Sequence, residues 1–150
     1  MKYIKNDGGR KKDYPNSKGK VGDCVVRAIS ICLEKSYKKV LSDLCEKAIE
    51  VGQMPNSHDV YREYLKDNGW EEIKFGKKIV RISSTHIPKD EWVICYMSNH
   101  LTAIKGNELH DIWNCGFTYN PQGKKVDKRV FRIYRKNKEK NIENININYI

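Results

Sequence analysis

The apolar residues of this chain change their period once, close to Trp70, and that single change limits the folds open to it. Before it, Val25, Ala28, Ile29, Cys32 and Leu33 recur at the spacing of one helical face, with Gly22-Asp23 ahead of them as a cap. A second helix is predicted from Ser36 as N-cap to about Val51, burying Val40, Leu41, Leu44, Cys45, Ala48 and Ile49 and ending at Gly52. A third follows Ser57, gathers Val60, Tyr61, Tyr64 and Leu65 on one face and stops at Gly69. After Trp70 come short segments rich in β-branched and aromatic residues, at 73–75, 79–82, 91–97, 100–105, 108–113 and 130–134. Helices first and strands second predict an α+β fold with a mostly antiparallel sheet.

Two stretches carry no period. Residues 5–23 are rich in Gly, Lys, Asp and Asn and read as a long loop of the kind that serves function. Residues 136–150 mix Lys, Glu, Asn and Ile and read as a flexible tail. That leaves 1–135, with the N-terminal loop 1–23 included, as a single domain. A chain of 150 residues can bury roughly two thirds of its unfolded surface, enough for one core.

Composition removes several classes. No run of about 18 apolar residues exists to span a bilayer, and the N-terminus lacks the apolar core of a signal peptide, so a cytoplasmic protein without membrane contact is expected. The five cysteines, Cys24, Cys32, Cys45, Cys95 and Cys115, are an odd set with no C-x-x-C pair. They fit neither a disulfide framework nor a thiolate zinc site, and no metal or cofactor is expected. The net charge of +10 invites an acidic partner. An abundance of Lys, Asn, Ile and Tyr also suits translation of an AT-rich genome, so charge alone does not choose one. Lys124, Lys125, Lys128, Arg129, Arg132, Arg135 and Lys136 gather in the last strand and its approach. They read as a solvated basic strand edge, with nucleic acid a possible but not favoured partner.

The chemistry concentrates on Cys24. A cysteine at a helix N-terminus meets the positive end of the helix dipole and unpaired N–H groups, which favour the thiolate. Cys32, Cys45 and Cys95 read as buried thiols, and Cys115, in a loop-like Asn-Cys-Gly, as ambiguous. A catalytic thiolate needs a base, and the base needs a third group to orient it. A two-residue turn at Gly106-Asn107 pairs Lys105 with Glu108, which places Asp111 opposite Thr102 and diagonal to His100 on one face. Diagonal Cα atoms lie roughly 7–8 Å apart, a gap that a carboxylate and an imidazole close with one hydrogen bond. His110 points to the other face; His58 and His86 sit at a helix turn and before a loop proline and read as structural. Trp113 is placed to shield the His100–Asp111 bond from water.

The run Gly22-Asp23-Cys24-Val25-Val26-Arg27-Ala28-Ile29, with Asn6-Asp7-Gly8-Gly9-Arg10 before it and His100-Leu101-Thr102-Ala103-Ile104 and Asp111-Ile112-Trp113 after it, resembles small papain-like cysteine peptidases encoded by bacteriophages. The likeness covers roughly residues 5–115 and extends more loosely to double-glycine peptidases, to papain and to the Asp-Gly-x-Cys-(x)2-Arg-Ala run of ovarian-tumour-type deubiquitinases. It implies a papain-like fold, with the Cys on N-terminal helices and His and Asp on the following sheet. Cys24 would be the nucleophile, His100 the base and then the acid, and Asp111 the orienting residue. Such enzymes usually carry an oxyanion-hole Gln shortly before the Cys, where this chain has Lys18 and Gly19. The backbone N–H of Cys24 supplies one donor, and a side-chain amide of Asn6 or Asn16 the second; the resemblance favours Asn6, whose own sequence equally suits an Asx-turn.

These readings lead to a cysteine peptidase or related thiol hydrolase acting on a peptide or isopeptide bond through an acyl-enzyme. A phage setting implies a host protein or defence system as target, in the host cytoplasm. Two other readings use the same residues: a catalytically inactive papain-like protein that binds nucleic acid or an acidic host protein, and a transglutaminase or deamidase with the same triad. Substrate and oligomeric state are not legible at this level.

Overall fold

The structure is a computed structural model that describes residues 1–19 and 22–138. The chain opens with β1 (Lys2–Lys5) and the short α1 (Arg10–Asp13), both inside the stretch predicted to be loop. Three longer helices follow, α2 (Cys24–Leu33), α3 (Tyr37–Val51) and α4 (His58–Asp67). Then come β2 (Trp70–Lys74), β3 (Val80–Arg81), β4 (Trp92–Met97), β5 (His100–Lys105) and β6 (Glu108–Asp111). The last elements are β7 (Phe117–Tyr119), β8 (Lys125–Asp127), β9 (Arg129–Val130) and β10 (Arg132–Lys136). The protein is therefore mixed α+β, as expected.

Six strands form the main sheet in the order β1-β6-β5-β4-β10-β2, antiparallel except where β1 runs parallel to β6. Two short ribbons, β3-β9 and β7-β8, stand beside it. Alternation along the strands sends side chains to two cores. Ile94, Leu101, Ala103 and Tyr134 join the helices, where Ile29, Val40, Leu44 and Val60 are fully buried. Val93, Cys95, Ile104, Leu109 and Ile133 join Val80, Ile82, Ile87 and Cys115 on the opposite face.

The helix boundaries follow local chemistry. Ser36 Oγ accepts from the backbone N–H of Lys39, an N-cap bond, and Gly52 closes α3 in the left-handed conformation at φ 79°. The buried stripe of α3 is Tyr37, Val40, Leu44 and Ala48. Cys45 and Ile49, expected inside, are exposed, because that stripe is narrower than the apolar pattern and they flank its solvent side.

The β5–β6 hairpin forms in the register derived from a two-residue turn: Lys105 opposite Glu108, Ile104 opposite Leu109 and Ala103 opposite His110. Gly106 turns with φ 60°, the left-handed conformation that favours glycine.

The basic C-terminal strand is not an edge. β10 lies between β4 and β2, its main chain bonded on both sides, so its cations cannot form one solvated border. Arg135 pairs with Glu91 at 3.0 Å and Arg132 turns toward tyrosines beneath α4. The strand also runs one residue past the predicted domain end at 135; of the expected tail, residues 139–150 lie outside the described residues. Among the described residues no helix is long and apolar enough to cross a membrane.

Candidate active site

Cys24 is the first residue of α2, a helix whose length and apolar face anchor it against the sheet. Asp23 occupies the N-cap position but its carboxylate makes no cap bond. It accepts instead from Arg27, one turn along the helix, and from the Tyr37 hydroxyl at 2.8 Å. That choice leaves the first N–H groups of α2 without a side-chain acceptor, which suits a site that must stabilise negative charge.

The hairpin delivers the other two groups. His100 begins β5 and Asp111 ends β6, and His100 Nε2 stands 2.8 Å from Asp111 Oδ2. The same imidazole is hydrogen-bonded to Cys24. Asp111 is 3% exposed, and its other oxygen accepts from the Ile112 backbone N–H at 2.7 Å and lies 3.4 Å from Arg27 Nη2. The Trp113 ring packs tilted against His100 with centroids 5.5 Å apart, one face outward to solvent. The structure thus brings Cys24, His100, Asp111 and Trp113 together.

Their electrostatics are coupled. Burial disfavours ionisation of Cys24, but the hydrogen bond to His100, a bond from the Leu101 backbone and the positive charges of His100 and Arg27 outweigh it, so the thiol is held below its ordinary value. Burial likewise disfavours a charged His100, yet bonds to Asp111, Cys115 and Cys24 push it up to about 11. Burial opposes the charge on Asp111, and His100 and the Ile112 N–H still hold its carboxyl below the usual range. Each shift favours a thiolate–imidazolium pair backed by a carboxylate. The buried Cys32 and Cys95 are pushed the opposite way, chiefly by burial, and are unsuited to nucleophilic work.

Asn6 is elsewhere. Its Oδ1 accepts from the Gly8 N–H at 3.0 Å, an Asx-turn, and its Nδ2 stands 3.2 Å from His110 Nδ1. It lines neither cavity at Cys24, because β1 pairs with β6 on the far side of Asp111 and ties the amide to His110. Asn56 and Asn99 line both cavities instead. The histidines read as structural have structural partners: His110 packs on Trp92 at 4.9 Å, His58 bonds Glu72 and Tyr134, and His86 bonds Ser84 and Lys78.

Sequence reasoning missed Arg27 and Cys115. Arg27 is 5% exposed and joins Asp23 to Asp111; its signals were its place in the Cys24–Ala28 run and a charge on the buried face of a helix. Cys115 is buried and its thiol donates to Asp111 Oδ2 at 3.4 Å. His100, Asp111 and Cys115 are the group among the described residues whose donor atoms, all within 4.8 Å, could share a metal ion. One carboxylate oxygen already takes both the imidazole and the thiol, so the three satisfy one another without an ion.

Two cavities flank Cys24. One, about 680 Å³, runs past His100, Ile112 and Trp113 to Arg10 and Gly19; the other, about 270 Å³, descends between α4 and the sheet past Tyr61 and Tyr96. Cys24, Gly22, Asn56 and Asn99 border both, so the thiol sits on the saddle between them. Comparison with known proteins finds no match: no family model, no curated protein and no solved structure matches the chain.

Proposed function

We propose that the protein is a papain-like cysteine hydrolase that cleaves a peptide or isopeptide bond through an acyl-enzyme on Cys24. The observation that carries this reading is the chain of contacts Cys24–His100–Asp111, with Asp111 on Nε2 of the imidazole and the thiol hydrogen-bonded to the same ring. The Cys24 thiolate attacks the carbonyl carbon and a tetrahedral oxyanion forms. His100, carrying the proton, gives it to the leaving amine as the C–N bond breaks. His100 then takes a proton from water, which attacks the thioester and restores the free thiol. Asp111 keeps the imidazole oriented and stabilises its charge.

The oxyanion needs donors. The Cys24 N–H at the start of α2 is one. Asn56 and Asn99, which line both sides of the thiol, replace Asn6 as candidates for the second. The motif resemblance to phage-encoded papain-like peptidases supports the same roles for Cys24, His100 and Asp111 and points to a host protein as substrate.

The test is a peptide library incubated with wild type and with Cys24→Ala, read by mass spectrometry. New termini produced by wild type alone are the expected result. Cys24-dependent conversion of Gln to Glu, or uptake of an added amine, would assign the triad to a deamidase or transglutaminase. No Cys24-dependent change of any kind would sink the enzymatic reading and leave a binding protein on the same scaffold.

A further inference from the structure

The smaller cavity beside Cys24 has a cationic floor. Its walls are Val25, Tyr61, Tyr96 and Leu101, and Arg132 reaches into it from the inner strand β10. The guanidinium lies over the Tyr96 ring at 3.7 Å, Nε donates to the Tyr134 hydroxyl at 2.9 Å and Nη2 donates to the Tyr61 hydroxyl at 3.0 Å. Three tyrosines therefore fix the fork in place, while Nη1 makes no hydrogen bond to a described residue. Among the described residues the carboxylate paired with Arg132 is Glu72, 3.9 Å from Nε and itself held by Tyr134 and His58. Among the described residues no carboxylate lines the cavity.

We propose that this cavity is a specificity subsite for an acidic side chain, Glu or Asp, on the acyl side of the scissile bond. The proposal rests on the hydrolase reading of Cys24 and deepens it. Which side of the bond the cavity serves follows from proton transfer. The leaving amine must approach His100 to be protonated, and His100 and Trp113 line the larger cavity but not the smaller one. The acyl portion therefore extends toward Tyr96 and Arg132. At about 270 Å³ the cavity lies below the range of cofactor sites and suits a side chain. A guanidinium already oriented by aromatic stacking and two hydroxyls loses little entropy on gripping a carboxylate, and such pairs are the strong ones. A Lys side chain there would meet a like charge, so the site rejects as well as selects.

The experiment uses tripeptidyl acyloxymethyl ketones, which alkylate a catalytic thiol from the acyl side, carrying Glu, Gln, Leu or Lys in turn at each position. Second-order rates on Cys24 are divided by the iodoacetamide rate on the same protein, so that thiol reactivity and side-chain selection separate. At one position Glu should outpace Leu and Lys by at least about 10-fold in wild type, a preference that collapses in Arg132→Gln and is partly kept in Arg132→Lys. The wild-type comparison needs no variant and stands even if Arg132→Gln folds poorly. Equal rates for Glu, Leu and Lys, or a Glu preference that survives Arg132→Gln in folded protein, would overturn the subsite while a His100-dependent iodoacetamide rate kept the hydrolase reading alive. An iodoacetamide rate on Cys24 indifferent to His100→Ala would overturn both.

Discussion

Arg27 lies one helical turn beyond Cys24 and its Nη2 stands 3.4 Å from Asp111, so the helix that carries the candidate nucleophile also holds the carboxylate that orients the candidate base. The same guanidinium pairs with Asp23, the residue before Cys24. One buried cation thus ties the two halves of the site, helix and hairpin, into a single unit.

Removing that cation should be costly in stability. Arg27→Met would leave Asp23 and Asp111, 5% and 3% exposed, without the buried cation they share. The expected loss is about 3–5 kcal/mol, seen as a lower denaturation midpoint in urea, with Arg27→Lys intermediate. A loss under about 1 kcal/mol would mean that Arg27 is not the link between the elements.

The charge state of Cys24 sets a pH profile. Its thiol is held below the ordinary value while His100 is raised to about 11, so the thiolate–imidazolium pair exists between those two limits. In a Cys45→Ser background, which removes the exposed competing thiol, alkylation of Cys24 should reach half its plateau rate below the free-thiol value of about 8.5. His100→Ala withdraws the hydrogen bond and the charge that favour the thiolate, so the midpoint should move up. A wild-type midpoint at or above 8.5 would show that burial wins.

Asp111→Asn tests the third member. The carboxylate is the leading contact that raises His100, so its neutral isostere should lower the imidazole value and, through the weaker imidazolium, raise that of the thiol. The window between the two then narrows from both ends. On any substrate found, kcat/KM should fall by about 10⁴, as when other triads lose this group. A drop below 10-fold would demote Asp111 to a packing role.

Gly8 is predicted to be irreplaceable for geometric reasons. It holds φ 69°, and a Cβ there would meet Cα and the carbonyl oxygen of Arg27 at 3.1 Å. Gly8→Ala therefore adds backbone strain of about 1–3 kcal/mol and pushes the N-terminal loop off α2. Thermal melts should show the loss, while Gly19→Ala, which meets nothing within 4 Å, should lose less.

What the sequence determined by itself was local and periodic. Helical spacing placed Cys24 at a helix start, Ser36 and Gly52 bounded α3, and Gly106-Asn107 set a two-residue turn, after which strand parity alone put His100 and Asp111 on one face. A His–Asp pair at the open end of one hairpin is legible because it depends on counting.

Tertiary structure decided everything that depends on which distant pieces meet. The strand β1 has four residues and no distinctive pattern, and it exists because the edge of β6 offers it a partner; pairing there drew Asn6 into an Asx-turn against His110 and away from Cys24. Arg27 reaches Asp111 across 84 residues, a contact that no periodicity encodes. Arg132 belonged to a run of cations that read as a solvated edge. Only the insertion of β10 between β4 and β2 turned it inward, onto Tyr96 and toward the cavity beside Cys24, since the order of strands in a sheet is set by long-range packing and not by any local signal.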